Sequence, residues 1–213
     1  MKLIGITGGI GTGKSTVVEI LRKRGWTVYA SDATAKEIMA KDPVVRKELV
    51  EAFGEEVLVP EGVNARGLAE KVFGPSPEQQ RNLARLNQIV HPRVLDAHLA
   101  TIESEREKGT PLIAIESALL FEVELEDGFD WVVVVDAPED VCVERVMKRS
   151  GASAEEVRRR MAEQMSMEEK RGLADFVIEN GGSQEELEGA VSLVAMILET
   201  FPDPDTQEAP SVD

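Results

Sequence analysis

One glycine-rich stretch constrains the fold of this chain more than any other feature. Residues 8–15 read GGIGTGKS, which fits the P-loop pattern G-x-x-x-x-G-K-[ST]. A short apolar run at 2–7 precedes it, and the segment that follows, 16–22, has apolar residues at helical spacing. Strand, glycine loop and helix is the order in which this pattern binds phosphate, so the stretch predicts a phosphate-binding loop at the end of a buried strand.

The residue types of this loop suit a nucleoside triphosphate. Glycines allow turns in which consecutive amides converge on one anion, and the following helix adds about half a positive charge at its N-terminus. We expect Lys14 to reach the β- and γ-phosphates and the Ser15 hydroxyl to ligate Mg²⁺. A glycine-rich turn without a ligand is the alternative, and the flanking strand and helix argue against it. The predicted nucleotide-binding residues of the loop are Gly9, Ile10, Gly11, Thr12, Gly13, Lys14, Ser15 and Thr16.

The rest of the chain alternates strands with helices. Further strands are predicted at 26–30, 111–115, 131–136 and 174–180. Such alternation is typical of an α/β fold, here a P-loop NTPase-type parallel five-stranded sheet covered by helices on both faces. Helices are marked by their start signals, among them Asp42-Pro43 and the capping boxes at 76–79, 153–156 and 183–186.

The predicted organisation is a single P-loop domain over 1–201. Several helices and no long strand occupy 43–108, so this segment is interpreted as a helical insertion that shapes the second substrate's site. The core is then 1–42 together with 109–201, and it includes a helical lid at about 145–171. The remaining residues, 202–213, are predicted to form a disordered acidic tail.

Composition narrows the possible partners. The net charge of −16 argues against sequence-independent nucleic-acid binding, and no apolar run approaches the ~20 residues that cross a bilayer. The one cysteine, Cys142, lies in an apolar helical pattern that favours core packing, and it rules out an internal disulfide, which suits the cytoplasm. Cations concentrate late in the chain, where they form either a solvated helix face or a clamp over the phosphates: Arg145, Lys148, Arg149, Arg158, Arg159, Arg160 and Lys170.

Three further residues each have both a functional and a structural interpretation. Asp32 follows the second strand, where a carboxylate faces the ligand crevice; it either takes a proton from a hydroxyl or helps hold Mg²⁺, or else caps the next helix. His91 either contacts the acceptor or caps a helix that begins at Pro92 and runs to about Lys108. Arg66 is either a ligand of an acceptor phosphate or a surface arginine.

Among P-loop proteins, a small kinase fits best. The N-K-x-D and D-x-x-G motifs expected of a GTPase are missing from the sequence. The third strand ends in Glu116-Ser117, not in the Asp or Asp-Glu usual in motor and transport ATPases, and the chain is short.

Seven segments, in the right order, resemble the dephospho-coenzyme A kinase family. They are the opening 4–15, Ser31-Asp32 with Ala35, the run 89–94, Leu119 to Glu122, Arg145 with Arg149, Arg160 with Gln164, and 174–178 with Asn180. The sequence departs from the family's usual residues at Glu116, Ala118 and Cys142. Glu116 keeps the charge of the usual Asp but is one methylene longer.

The resemblance implies transfer of the ATP γ-phosphoryl group to the ribose 3′-hydroxyl of dephospho-CoA. It implies Asp32 as the general base, Lys14 and Mg²⁺ as neutralising groups, and a lid in which Arg145, and with it Arg149 and Arg160, closes over the phosphates. Asn180 is implied on the adenine side of the ATP site. The residues expected at the acceptor are Thr7, Asp32, His91, Glu116 and Arg160.

Two other functions remain open from the sequence. A kinase for another nucleoside or nucleotide would keep the core and reshape 43–108. A regulatory module would bind ATP and change shape without an acceptor.

Overall fold

The computed structural model describes residues 1–60 and 62–204 and divides them into two compact units. The first unit, here called the P-loop unit, consists of Met1–Tyr29 and the chain from Arg106 onward. The second, the helical unit, is Ala30–Glu105. The predicted tail lies outside the described residues from 205 onward, and none of the helices within 1–60 and 62–204 is long and apolar enough to span a membrane.

The P-loop unit is built on one five-stranded sheet. Its strands and helices in chain order are β1 (Lys2–Thr7), α1 (Lys14–Lys23), β2 (Thr27–Ala30), β5 (Leu112–Glu116), β6 (Trp131–Asp136), α6 (Glu139–Ser150), α7 (Ala154–Ala162), α8 (Met167–Leu173), β7 (Phe176–Glu179) and α9 (Gln184–Thr200). The strand order is β2-β5-β1-β6-β7, and β1 pairs in parallel with both β5 and β6. β1 is thus the central strand, and the loop that follows it lies at the carboxyl edge of the sheet.

Both faces of this sheet are covered, as predicted. Along β6, Val133 and Val135 pack into a cluster with α1 and α9, while Val132 and Val134 pack into another with Leu120. Since successive strand side chains point to opposite faces, the two clusters lie on opposite sides of the sheet. This explains why the apolar runs show no polar alternation.

The helical unit contains α2 (Ser31–Lys41), α3 (Pro43–Phe53), β3 (Leu58–Val59), β4 (Gly62–Val63), α4 (Ala65–Val72) and most of α5 (Pro77–Glu107). Its core is a separate apolar cluster that includes Val45, Leu49, Phe53 and Leu68. β3 and β4, an antiparallel pair of two residues each, are too short to give a periodic signal. The unit takes in α2 as well as most of the segment predicted as the acceptor insertion, and its role toward the acceptor stays a prediction.

Local capping signals were correct predictors of several helix starts. The Asp42 carboxylate accepts hydrogen bonds from the amides of Val44 and Val45 at the start of α3. Ser153 and Ser183 form capping boxes with the glutamates three residues later. Each arrangement satisfies amides that a helix start leaves unpaired, and is worth about 1 kcal/mol.

The prediction that a helix begins at Pro92 was wrong. Pro92 lies inside α5, which runs unbroken from Pro77 to Glu107. A proline removes one backbone hydrogen bond and crowds the preceding turn, which usually ends a helix. Here the helix continues, and it buries Val90 before the proline and His98 after it.

Candidate functional site

The glycine loop between β1 and α1 adopts conformations that other residues rarely reach. Gly11 and Gly13 have φ angles of 84° and 92°. A Cβ on Gly11 would lie 2.6 Å from the carbonyl oxygen of Cys142, and a Cβ on Gly13 would collide with the Asn180 amide. The backbone therefore needs glycine at both positions for its torsion angles and for its close neighbours.

The start of α1 presents amides and a lysine to this loop. Gly13 is the N-cap residue, and among the described residues no side chain caps this helix start. The Lys14 ammonium donates to the carbonyl oxygens of Gly8 and Gly9, at 2.8 and 3.0 Å. Ser15 is exposed in the first turn, and Thr16 beside it is half-buried. An uncapped helix N-terminus beside a lysine is a favourable place for an anion.

Asn180 and Arg145 meet on one side of the loop. Asn180, which is buried, follows β7, and its side-chain amide donates to the carbonyl oxygen of Thr12 at 2.7 Å. Arg145, from α6, donates through Nη2 to Oδ1 of Asn180 at 3.4 Å. Arg145 Nη1 is buried and has no hydrogen-bond partner within the described ranges. An ideal Cβ on Gly13 would lie 3.7 Å from this nitrogen, so the guanidinium sits against the loop.

A polar residue ends β1 and another ends the adjacent strand β5. Thr7 ends β1; it is fully buried, and its hydroxyl has no partner among residues 1–60 and 62–204. Glu116 ends β5, where it pairs in register with Ile6, and is half-buried. The sequence therefore placed Thr7 and Glu116 correctly at the carboxyl edge of the sheet.

The late cations do not act as one cluster. Arg149 and Arg160 are exposed. Lys148 pairs with Glu144 along α6, at 2.6 Å, and Arg158 pairs with Glu139, at 3.1 Å. Such exposed pairs contribute little to stability, and these side chains form a solvated surface on α6 and α7.

Lys170 was wrongly grouped with these cations. Its side chain is completely buried and pairs with Glu122 at 2.8 Å. Its ammonium also donates to the carbonyl oxygen of Ala118, at 3.0 Å. A lysine in a charge-rich helix usually faces water, so nothing local distinguished it; only the contact with Glu122, far away in sequence, explains its burial.

Two side chains after α7 contact the P-loop and were not assigned this role from the sequence. The amide of Ile10 donates to the Gln164 side-chain oxygen at 2.9 Å, and the amide of Gly9 donates to the Met167 sulfur at 3.2 Å. A cleft of about 650 Å³ opens beside these contacts, between the loop, the start of α6 and the segment around Gln164. Gln164 was noted only as part of a family motif, which was the one available signal.

Asp32, in the helical unit, lies in the first turn of α2 and is exposed. The N-cap residue of this helix is Ala30, so the interpretation of Asp32 as a cap was wrong. No hydrogen bond from any described residue reaches the Asp32 carboxylate. It stands at a helix N-terminus, where the backbone dipoles stabilise a negative charge.

The two histidines both lie on α5. His91 is half-buried inside the helix, so the interpretation as a cap of a helix begun by Pro92 was wrong; burial lowers its pKa. His98 is buried, and its Nε2 lies 2.9 Å from the hydroxyl oxygen of Ser31, the residue before Asp32. Burial also lowers the pKa of His98. The sequence had offered no partner for His98, because Ser31 lies on another helix.

Arg66 is a highly exposed side chain at the start of α4. It pairs with Glu70 one helical turn later, at 3.0 Å. This geometry matches the interpretation as a surface arginine. Contact with an acceptor phosphate stays a prediction.

Comparison with known proteins places these residues in a family context. The family model described as dephospho-CoA kinase matches residues 2–186. A dephospho-CoA kinase from Bacteroides fragilis is 40% identical over 196 residues, which cover 92% of this chain and 93% of the relative.

Two solved structures are similar along nearly the whole chain. A crystal structure from Thermus thermophilus is 40% identical, with a TM-score of 0.75, and covers 94% of this chain and 98% of its own. Dephospho-CoA kinase from Campylobacter jejuni, at 24% identity and a TM-score of 0.69, covers 93% and 98% and supports the fold.

Proposed function

Because this chain belongs to the dephospho-CoA kinase family, we propose that its P-loop holds ATP and that Asp32 activates the acceptor hydroxyl. The reaction follows from family membership. The chain catalyses ATP-dependent phosphorylation of the ribose 3′-hydroxyl of dephospho-CoA, which gives coenzyme A and ADP in the last step of coenzyme A synthesis. The roles of individual residues are our proposal.

The single observation that best supports the ATP site is the buried, unpartnered Nη1 of Arg145 beside the loop. A buried N–H group without a partner is costly, and more so when it carries charge. Phosphate oxygens on the loop would satisfy it. Arg145 is therefore assigned to the transferred phosphoryl group, where positive charge stabilises the charge that develops.

The loop backbone and Lys14 would bind the remaining phosphate oxygens. Amides of 11–15 would converge on the β- and γ-phosphates, as in other P-loops. Lys14 would exchange its two carbonyl contacts in the loop for phosphate oxygens. Arg149 and Arg160, exposed on the lid segment, are proposed to close over the phosphates and to exclude water.

Mg²⁺ is proposed at the Ser15 hydroxyl. Mg²⁺ keeps several waters and needs only one or two protein oxygens besides the phosphates. The Ser15 hydroxyl, exposed in the first turn of α1, fits that requirement. Within 1–60 and 62–204, no group of three or more His, Cys, Asp or Glu suits a metal, so phosphates must complete the set. When bound, Mg²⁺ neutralises charge on the phosphate oxygens.

Asp32 is proposed to accept the proton of the ribose 3′-hydroxyl. Its carboxylate is exposed, and no described side chain donates a hydrogen bond to it. A general base of this kind contributes about 10²–10⁴-fold to the rate. Thr7, His91, Glu116 and Arg160 are proposed to contact the acceptor, and Asn180 to support the adenine side of the ATP site.

The proposed location is the cytoplasm. Cys142, the one cysteine, is free and buried, so the fold needs no oxidising compartment.

The test is an ADP-release assay with Mg-ATP and separate additions of dephospho-CoA, adenosine, AMP or no acceptor. We expect release to require dephospho-CoA, with coenzyme A as the product, and to stop when EDTA removes Mg²⁺. Turnover with adenosine or AMP alone would contradict the assignment of the acceptor. Slow hydrolysis that is indifferent to every acceptor would instead favour a regulatory module.

A further inference from the structure

We propose that Glu122 is a positioning residue for ATP binding, which acts through Met165 and Gln164 on the P-loop. The inference rests on the proposed binding of ATP to this loop. It concerns how the protein holds the first half of the loop, 8–10, so that the second half can bind phosphate.

The first half of the loop is held by side chains of the segment Gln164–Met167. Gln164 accepts a hydrogen bond from the Ile10 amide at 2.9 Å, and Met167 accepts one from the Gly9 amide at 3.2 Å. These two amides are therefore already paired with protein atoms. Because a partly buried amide needs an acceptor, the segment fixes the direction of the loop at this point.

Glu122 connects this segment to the buried Lys170. Its Oε1 accepts a hydrogen bond from the Met165 amide at 3.0 Å. Both of its carboxylate oxygens also lie close to the buried Lys170 ammonium, at 2.8 and 3.1 Å. Lys170 in turn donates to the carbonyl oxygen of Ala118. The chain of contacts thus runs from the core through Glu122 and Met165 to Gln164 and the loop.

Apolar packing continues the same attachment. Met165 and Met167 pack against a buried cluster that contains Leu120, Phe121 and Val134. Two residues after Ile10 the loop is also held by Asn180, which donates to the carbonyl oxygen of Thr12. The loop is therefore held both at Gly9 and Ile10 and at Thr12, and we expect the loss of either attachment to let its amides diverge.

The positioning role can be separated from the stability of the buried ion pair. Replacing a buried pair by neutral or apolar side chains is often harmless to stability, whereas removing one partner leaves a buried charge. Both charges must therefore be removed together. Two double variants can then be compared, one in which the side chain at position 122 keeps an oxygen for the Met165 amide and one in which it does not.

The first double variant is Glu122→Gln with Lys170→Met, which keeps that oxygen. The second is Glu122→Leu with Lys170→Met, which removes it. We expect the first to bind ATP within about twofold of wild type. We expect the second to raise the Kd and the KM for ATP about five- to tenfold, the size of one hydrogen bond, and to leave the KM for dephospho-CoA unchanged. Calorimetry with a non-hydrolysable ATP analogue and steady-state kinetics measure these values.

Gln164→Leu tests the other end of the chain of contacts. It should raise the KM for ATP to a similar extent, and adding it to the second double variant should cause little further change, because both act through one contact. Glu163→Gln, an exposed neighbour, is the matched control and should behave as wild type.

Equal ATP affinity in the two double variants, with both folded by circular dichroism, would overturn the inference. An equal rise in the KM of both substrates would also overturn it, because that result indicates a general loss of structure. Wild-type protein that binds no ATP would overturn the inference and the proposed function together.

Discussion

In the P-loop unit, the backbone that is proposed to bind phosphate is held by side chains from distant parts of the sequence. The Asn180 side chain donates to the carbonyl oxygen of Thr12 in the loop, and the Gln164 side chain accepts a hydrogen bond from the Ile10 amide. In the helical unit, by contrast, Asp32 is exposed in the first turn of α2, and its position depends on the helix that carries it.

The difference indicates two ways of preparing a group for catalysis. Amide donors are useful only when several of them converge, so the loop that carries them must be rigid. A carboxylate that accepts one proton needs a position and an open face, which the first turn of a helix supplies. Substitutions in the P-loop unit should therefore affect ATP binding, and those at Asp32 the chemical step alone.

The largest expected effect is that of Lys14→Ala. The ammonium is the charge proposed to lie on the β- and γ-phosphates, and its loss should lower kcat/KM by about 10³-fold. The fold should remain, because the Lys14 side chain is only partly buried and its ammonium donates to carbonyl oxygens of the loop. ADP-release kinetics measure kcat/KM, and a thermal melt measures whether the fold remains. A Lys14→Ala enzyme with normal turnover would contradict the proposed phosphate cradle.

The next effect is that of Asp32→Asn, which should lower kcat by about 10²-fold or more while ATP affinity stays unchanged. The exposed carboxylate has no described hydrogen-bond partner to lose, so the melting temperature should fall only slightly, through the lost interaction of its charge with the helix dipole. Steady-state kinetics and calorimetry with ATP check both points, and Asp96→Asn, exposed on α5, is the control. Near-normal turnover would remove Asp32 from the role of base.

A third, smaller effect compares one amide side chain in each unit. Asn180→Ala leaves the Thr12 carbonyl without its donor and should lower the free energy of unfolding by about 1–3 kcal/mol while raising the KM for ATP. Asn82 donates similarly to the carbonyl oxygen of Lys71 in the helical unit, at 3.1 Å. Asn82→Ala should affect stability and leave the KM for ATP unchanged. If both variants change that KM alike, the contrast between the units is wrong.

The smallest expected effect is a pH dependence of stability from His98. Burial lowers its pKa in the folded chain, so the unfolded chain takes up the proton first as the pH falls. The stability that neutral His98 contributes is present above its ordinary pKa of about 6.5 and is lost as the pH falls below that value. Urea unfolding at pH 7.5 and 5.5 should show a smaller loss for His98→Gln than for wild type. An identical loss would exclude His98 as the source.

The sequence alone was sufficient for the parts of the fold that depend on neighbours in the chain. The five strands were found because buried parallel strands are continuous apolar runs, and β6, WVVVVD, is the clearest of them. The starts of α3, α7 and α9 were found because capping depends on residues within one turn. The P-loop was found because its glycines, lysine and serine are contiguous.

Tertiary structure decided the features that depend on residues far apart. Lys170 is buried because Glu122 meets it, His98 has a partner because Ser31 lies on another helix, and α5 continues through Pro92 in spite of the local signal. The supports of the P-loop, Gln164 and Asn180, lie more than a hundred residues from it. No local pattern records such contacts, because these residues are neighbours only in the folded structure. The sequence by itself therefore determined which groups are proposed to bind phosphate, and the fold decided which groups hold them in place.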